Sequence, residues 1–451
     1  MLKQINPYEC YTVIAPSPDV PVSNWGAYNS ASEFMREYMG WTDAEDFLNL
    51  QIPSQIISFD ENGMYRDPNE PMLYDLATRC QFAVLLYFGY KGKYRNRVYD
   101  LIKKSGEITL KMQSPTGEIP FGGRSNQFLF NEAYAAIMFE FLASDCKKCG
   151  DEKTASVYKS AAKLAADSIC MRMKETPVHH VKNHFPTKSK YGCEDYAYYD
   201  KYMITLASFI YMAYLFADDS IAPSEKCPAQ KGGYIALTSK HFHKLFAACC
   251  GYQLEFDTAA DFDYDASGLG RIHKCGNSGE LCLSVPFSDN PHYLIDLKND
   301  TPLSFCSVLK NNGKDVYFCD KNRSYVLVKN KACSENAEAW FEVINKNDLK
   351  VTEKYFVSEN GVEICAEYDG AFRYAIPVFC FDGEKNTEIT YNDSEILVKY
   401  NDEFCRFTTE SKFIKTDKFY ANRNGHYMCF FAEGCGEIKV KIEMGREKTC
   451  K

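Results

Sequence analysis

The spacing of apolar residues changes once along this chain, near residue 230, and that change limits what it can fold into. Before it, Leu73, Leu76, Cys80, Val84 and Tyr87 recur at the spacing of one helix face. After it, Ile438, Val440, Ile442 and Met444 alternate with Glu437, Lys439, Lys441 and Glu443. Val362, Ile364 and Tyr368 likewise alternate with Glu363, Cys365 and Glu367. Alternation of this kind is the pattern of a half-buried strand. A chain with both periods in separate halves predicts an α+β multidomain protein. Residues 1–228 are expected to be helical and residues 229–451 to form antiparallel sheets, with the boundary close to Ala222-Pro223-Ser224.

The expected helices cover 30–49, 72–90, 93–112, 126–149, 151–173 and 198–217. Short connections make them helical hairpins, as in a bundle or an α/α-toroid. In the second half, Asn312-Gly313, Asn360-Gly361, Asp369-Gly370, Asp382-Gly383 and Asn424-Gly425 suit tight hairpins, which predicts a β-sandwich or stacked sheets. The apolar run from Ile204 to Ala217 is too short for a membrane span and contains Thr205 and Ser208, so it reads as a buried helix with no membrane partner.

With a formal charge of -9 and no basic tract, the chain has no footprint for nucleic acid. Met1 to Pro7 lacks the apolar segment of a signal peptide, so a cytoplasmic location is expected, with the 20 Cys as free thiols. Cys146 and Cys149 form a CxxC with no second pair at a metal-like spacing. No metal and no cofactor is expected. The 32 Tyr against 3 Trp supply flat apolar area with polar tips, which suits sugars as well as a Tyr-rich core.

Four segments could carry chemistry. In the first, Gly122-Gly123 lets a backbone approach closely, and Arg124, Asn126 and Gln127 stand where a helix should begin. With Glu118 nearby, they read as a carboxylate-binding site, or else as an ordinary turn with a cap and a salt bridge. The second is Glu194-Asp195-Tyr196-Ala197-Tyr198-Tyr199-Asp200-Lys201-Tyr202, where Tyr199 and Tyr202 would share a helix face and could move protons, or simply pack. The third holds His179, His180 and His184, three of the 8 His; His180 and His184 could serve as base, proton donor or metal ligands. The fourth places Arg271 and His273 two apart, on the same side of a strand that could reach a cleft.

On these residues the chain resembles the heparinase II/III-like and alginate-lyase-like polysaccharide lyases. The run Glu194 to Tyr202 before an apolar helix looks like that family's Glu-Gly, Tyr-Tyr, basic, Tyr pattern. The resemblance implies an α/α-toroid followed by antiparallel β-sheets, with Tyr199 as the catalytic Tyr and Tyr202 its neighbour. Asn126 takes the place of the Asn that neutralises a uronate carboxylate. The family's following His is Gln127 here. Arg271 and His273 are similar in placement to residues that the family draws from its β domain.

The expected reaction is β-elimination on a uronic-acid-containing oligosaccharide. Arg124, Asn126 and Gln127 would neutralise the carboxylate and Tyr199 would take the C5 proton, with His180 or His184 serving an opposite-face route. Two alternatives stay open. One is an exo-acting, β-glucuronidase-like glycoside hydrolase using a carboxylate pair among Glu118, Glu132, Glu194, Asp195 and Asp200. The other is a non-catalytic glycan-binding protein. A homo-oligomer is compatible with each.

Overall fold

The computed structural model describes residues 2–173, 180–197 and 201–447. Its first half is helical: α1 (Pro7–Cys10), α2 (Trp25–Tyr38), α3 (Glu45–Ile56), α4 (Met72–Tyr87), α5 (Arg95–Met112), α6 (Phe130–Lys148), α7 (Glu152–Met173), α8 (Lys201–Phe216) and the single turn α9 (Pro228–Lys231). Helix α6 is apolar nearly all round, and it packs among α4, α7 and α8 with almost every side chain buried.

The expected helix over 30–49 is two helices. Gly40 adopts φ +68°, and the Asp43 carboxylate accepts the Glu45 N–H at 3.0 Å, starting α3 afresh. Helix α6 begins at Phe130 rather than at 126, because Ser125 sits at φ +64° and Phe128 bridges to Val181. Helix α8 forms as expected but is not a buried helix. Leu206, Phe209 and Phe216 face the core, while Ile204 is 74% and Tyr214 69% exposed.

Beyond α9 the chain is β-structure. Strands β1 (Gly232–Leu237), β2 (Lys244–Cys249), β3 (Tyr252–Asp257) and β4 (Gly268–Lys274) form a four-stranded antiparallel sheet in that order. The remaining strands form an eleven-stranded sheet around two long partners, Gly361–Phe381 and His426–Arg446. The sheets share one core, in which Phe256 meets Phe341 at 5.1 Å and Tyr355 at 4.6 Å between ring centres. Asn312-Gly313 makes a tight hairpin, at φ +50° and +79°. Asp369-Gly370 does not: it lies inside a strand, at a bulge between Tyr368 and Ala371.

The four-stranded sheet meets the helical half directly. Gln253 Nε2 donates to the carbonyls of Lys111 (3.1 Å) and Gln113 (2.9 Å), and Arg271 Nη1 donates to that of Ile119 (2.7 Å). The loop between α5 and α6 is thereby held against the β half. No helix among the described residues is long and apolar enough to cross a membrane.

Candidate functional site

The Gly-rich loop between α5 and α6 carries a dense convergence of polar groups. Gly123 stands at φ +73°, and a Cβ there would come 2.9 Å from the Pro71 side chain, so the turn requires glycine. Its N–H donates to Asp265 Oδ2 (3.0 Å), and its carbonyl accepts from Arg423 Nη2 (2.9 Å). Two residues on, the Ser125 N–H donates to Glu194 Oε1 (2.7 Å), and Gln127 Nε2 donates to Glu194 Oε2. Arg423 Nη1 then donates to Gln127 Oε1 (3.0 Å). The result is a buried relay from Arg423 through Gln127 to Glu194. The loop thus holds a carboxylate of the chain itself, that of Glu194. Each Gln amide nitrogen has two hydrogens, and the second on Gln127 meets no acceptor among the described residues.

Tyrosines surround the relay. The Ser125 hydroxyl is hydrogen-bonded to that of Tyr74 (3.1 Å) and to that of Tyr196. The Arg423 guanidinium lies 4.5 Å from the centre of the Tyr293 ring and 5.5 Å from that of Tyr264. Burial, and then the nearby Glu194 charge, raise the hydroxyl pKa of Tyr196 and Tyr264. The hydroxyl of Tyr202 is raised as well, by burial, then Tyr74 and Glu194. These groups hold their protons at neutral pH and act as hydrogen-bond donors. The Asp265 carboxyl is pushed up to about 6 by burial, against the pull of Arg423 and Lys244.

Of the residues expected from the sequence, Gln127, Glu194, Tyr202 and His180 gather here. Phe128 stacks on Tyr202 at 5.1 Å and on His180 at 5.8 Å, and His180 Nε2 lies 3.8 Å from Cys193 Sγ. Arg124 stands at the rim, occupied: it pairs with Asp67 at 2.5 Å, donates to the Pro68 carbonyl and lies over the Tyr74 ring. Asn126 turns away and donates to the Pro120 carbonyl at 2.7 Å. Tyr199, with His179, Tyr198 and Asp200, lies outside the described residues. Asp67 also lines an open cavity of about 710 Å³, together with Glu70, His243, Asp261 and Asp263.

The other expected residues form a second, deeper group. Arg271 and His273 do share one side of β4 and point at the helical half, but both are buried and fully engaged. Arg271 pairs with Glu255 at 3.1 Å; His273 contacts the Thr116 hydroxyl (3.1 Å) and the Ser284 hydroxyl (3.0 Å). Burial, then the Arg271 charge, lower the His273 pKa to about 3, so it is neutral at physiological pH. Burial alone would raise Glu118, but the charges around it, Lys182 foremost, bring it down to about 2. Glu132, paired with Lys182 at 2.7 Å, is raised by burial. Glu118 and His184 line a cavity of about 460 Å³ with Arg172 and Glu280. Arg172 joins two of these, lying 3.2 Å from His184 Nε2 and pairing with Glu280.

Cys365, Glu367 and Glu437 offer ligand atoms close enough for one cation, but Lys354 and Lys439 already hold the two carboxylates. No disulfide joins the described cysteines.

No family model matches the chain, and no curated protein matches it. Among solved structures it is similar to heparinase III, the BT4657 gene product, with 12% identity and a TM-score of 0.47 over 95% of this chain. It is similar also to a point mutant of the chondroitin AC lyase of Streptomyces coelicolor (9% identity, TM-score 0.44, 95% of this chain and 61% of that one). A third is a mutant of heparan sulfate lyase HepC from Pedobacter heparinus (8% identity, TM-score 0.39, 94% of this chain and 69% of that one). These are polysaccharide lyases, the kind that the sequence resembles. The chain spans 59% of the heparinase III chain.

Sequence reasoning missed Arg423, Asp265, Tyr264, Tyr293 and Tyr74 as members of the site, and gave Tyr196 no role although it stands in the marked Glu194–Tyr202 run. Arg423 had a weak signal, since it sits in Asn422-Arg423-Asn424-Gly425, an unusually polar hairpin end. The others carry no local signal, because only the docking of loops from distant parts of the chain brings them together.

Proposed function

We propose that this chain is a carbohydrate-active enzyme of the lyase kind, cleaving uronic-acid-containing oligosaccharides by β-elimination. In this reading residues 1–228 are an α/α-toroid that carries the proton-transfer residues, and residues 229–451 are a sandwich that closes the site over it. The observation that carries the reading is the Arg423–Gln127–Glu194 relay, set among protonated tyrosine hydroxyls at the junction of the two halves.

The C5 hydrogen of a uronate is too weakly acidic to leave until the carboxylate beside it is neutralised. Donors held in place before the reaction supply several kcal/mol of such stabilisation. The free amide hydrogen of Gln127, the Ser125 and Tyr196 hydroxyls and the Arg423 charge are the groups for that task. Glu194 acts on Gln127 by fixing the direction of its amide. Tyr199, acting as base, takes the C5 proton; the C5–H electron pair becomes the C4–C5 double bond as the C4–O bond breaks. The departing oxygen receives a proton from Tyr199 or from Tyr202.

Purified protein incubated with uronic-acid oligosaccharides should produce ultraviolet absorbance from the new double bond, with total product mass conserved. Products heavier by one water, without absorbance, would replace this reading with hydrolysis. One observation favours that rival: Glu118 and Glu132 flank Lys182 with pKa values moved in opposite directions, as in an acid–base pair. Glu118 lines a cavity, whereas Glu132 is 1% exposed, which leaves elimination ahead.

A further inference from the structure

Helix α8 presents an outer face that nothing described in this chain covers. From Tyr202 to Ala217 there is no charged residue. Leu206, Phe209 and Phe216 point inward; Ile204, Ala207, Tyr211 and Tyr214 point outward. The outward set is spaced three, four and three residues apart, the spacing of a seam that packs against another helix. Beside it runs a shallow groove of about 450 Å³ lined by Met173, Met203, Leu206, Ala207, Ile210, Tyr211 and Tyr214.

The seam is complementary to itself. In an antiparallel pair of α8 helices related by a two-fold axis level with Phe209, Ile204 meets the partner's Tyr214 and Ala207 meets the partner's Tyr211. Each large ring then faces a smaller side chain, which is how knobs fill holes. With large side chains offering roughly 150–250 Å² each, the exposed fractions of Ile204, Tyr211, Tyr214, Ile210, Leu215 and Met173 (74, 60, 69, 39, 36 and 41%) leave roughly 500–800 Å² of largely apolar surface. A stable protein interface uses about 800 Å² per partner. Charge points the same way. The chain is at -9, so two copies carry a net repulsion, and the uncharged stretch from Tyr202 to Ala217 adds none to it at the seam.

We propose that this face is a docking surface for a second copy of the same chain, forming a two-fold dimer through antiparallel α8 helices. The pairing is independent of the reaction assigned above. It also places the Tyr202 end of each α8 beside the far end of its partner.

Sedimentation of the full chain at micromolar concentrations tests this. The expected species has twice the 51.5 kDa chain mass. Ala207→Glu and Tyr211→Lys each put a charge into the seam and should give monomers with unchanged circular dichroism. Mixing the two variants should restore a dimer, because the Glu at 207 then faces the Lys at 211 across the axis. A monomeric wild type overturns the proposal. So does a dimer indifferent to both variants, or variants that stay monomeric when mixed. Binding of the monomeric wild type to neutral phosphatidylcholine vesicles, lost in Tyr211→Lys, would assign the face to a lipid surface instead. Should either variant lose its folded spectrum, Tyr214→Lys and Ile204→Glu repeat the test at the outer pair.

Discussion

Acidification should expose the state of His273. Its imidazole is buried, held between the Thr116 and Ser284 hydroxyls beside the Arg271 charge, and its pKa falls from 6.5 to about 3. Between those two pH values the unfolded chain binds a proton at this residue and the folded chain does not. Stability therefore rises with pH through this window and is lost as pH falls. At pH 5 the loss relative to pH 7 amounts to about 2 kcal/mol, taking about 1.4 kcal/mol per pKa unit. Asp265 works in the opposite direction. Its carboxyl is raised from 3.8 to about 6, so acidification to pH 5 returns over ~1 kcal/mol. Wild-type stability alone would thus change little. The comparison that isolates His273 is urea unfolding of wild type and His273→Gln at pH 7 and pH 5. Between these values, wild type should lose about 2 kcal/mol more than the variant. Parallel curves for the two proteins would refute the reasoning: His273 would then titrate normally, reach water and be open to chemistry.

Other perturbations separate the relay from its surroundings. Arg423→Met removes the cation beside Glu194 and Asp265 and should cost about 3–5 kcal/mol in denaturant unfolding, as expected when one partner of a buried charge group is removed. Gln127→Glu sets a second carboxylate against Glu194. Double-bond formation should fall by roughly 10²-fold or more, the scale of losing one pre-organised donor, and a variant with full activity would remove Gln127 from the site. Arg124→Ala removes the pair with buried Asp67, the bond to the Pro68 carbonyl and the contact with the Tyr74 ring, while the Asn24 N–H still holds Asp67, so its stability cost should be about 1–3 kcal/mol and its activity loss well below that of Gln127→Glu. Tyr199→Phe should abolish turnover with the melting temperature unchanged, and retention of activity would end its assignment as the proton carrier.

Where sequence reasoning succeeded, the signal was local. The helical spacing in Met72–Tyr87 and the alternation in His426–Arg446 report which side of an element meets the core, and the structure has both elements. Where it failed, a distant segment decided the outcome. Arg124 beside Gly122-Gly123 reads as an anion clamp until Asp67, 57 residues earlier, takes its guanidinium. Arg271 and His273 do share a strand face, but the loop carrying Thr116 and Ile119 seals them from solvent. Asp369-Gly370 reads as a hairpin turn, yet the partner strand continues past it and absorbs the extra residue as a bulge.

By itself, then, the sequence determined the two kinds of element, their order along the chain and the change from one to the other near residue 230. All of these rest on periodicity and on neighbours a few residues apart. The tertiary structure decided which polar groups meet. Gln127, Glu194 and Arg423 lie up to 296 residues apart and touch only because the loop after α5, the segment before α8 and the Asn422–Gly425 turn pack into one junction. Local spacing carries no record of such meetings, because the free energy that holds them comes from burying both halves against each other.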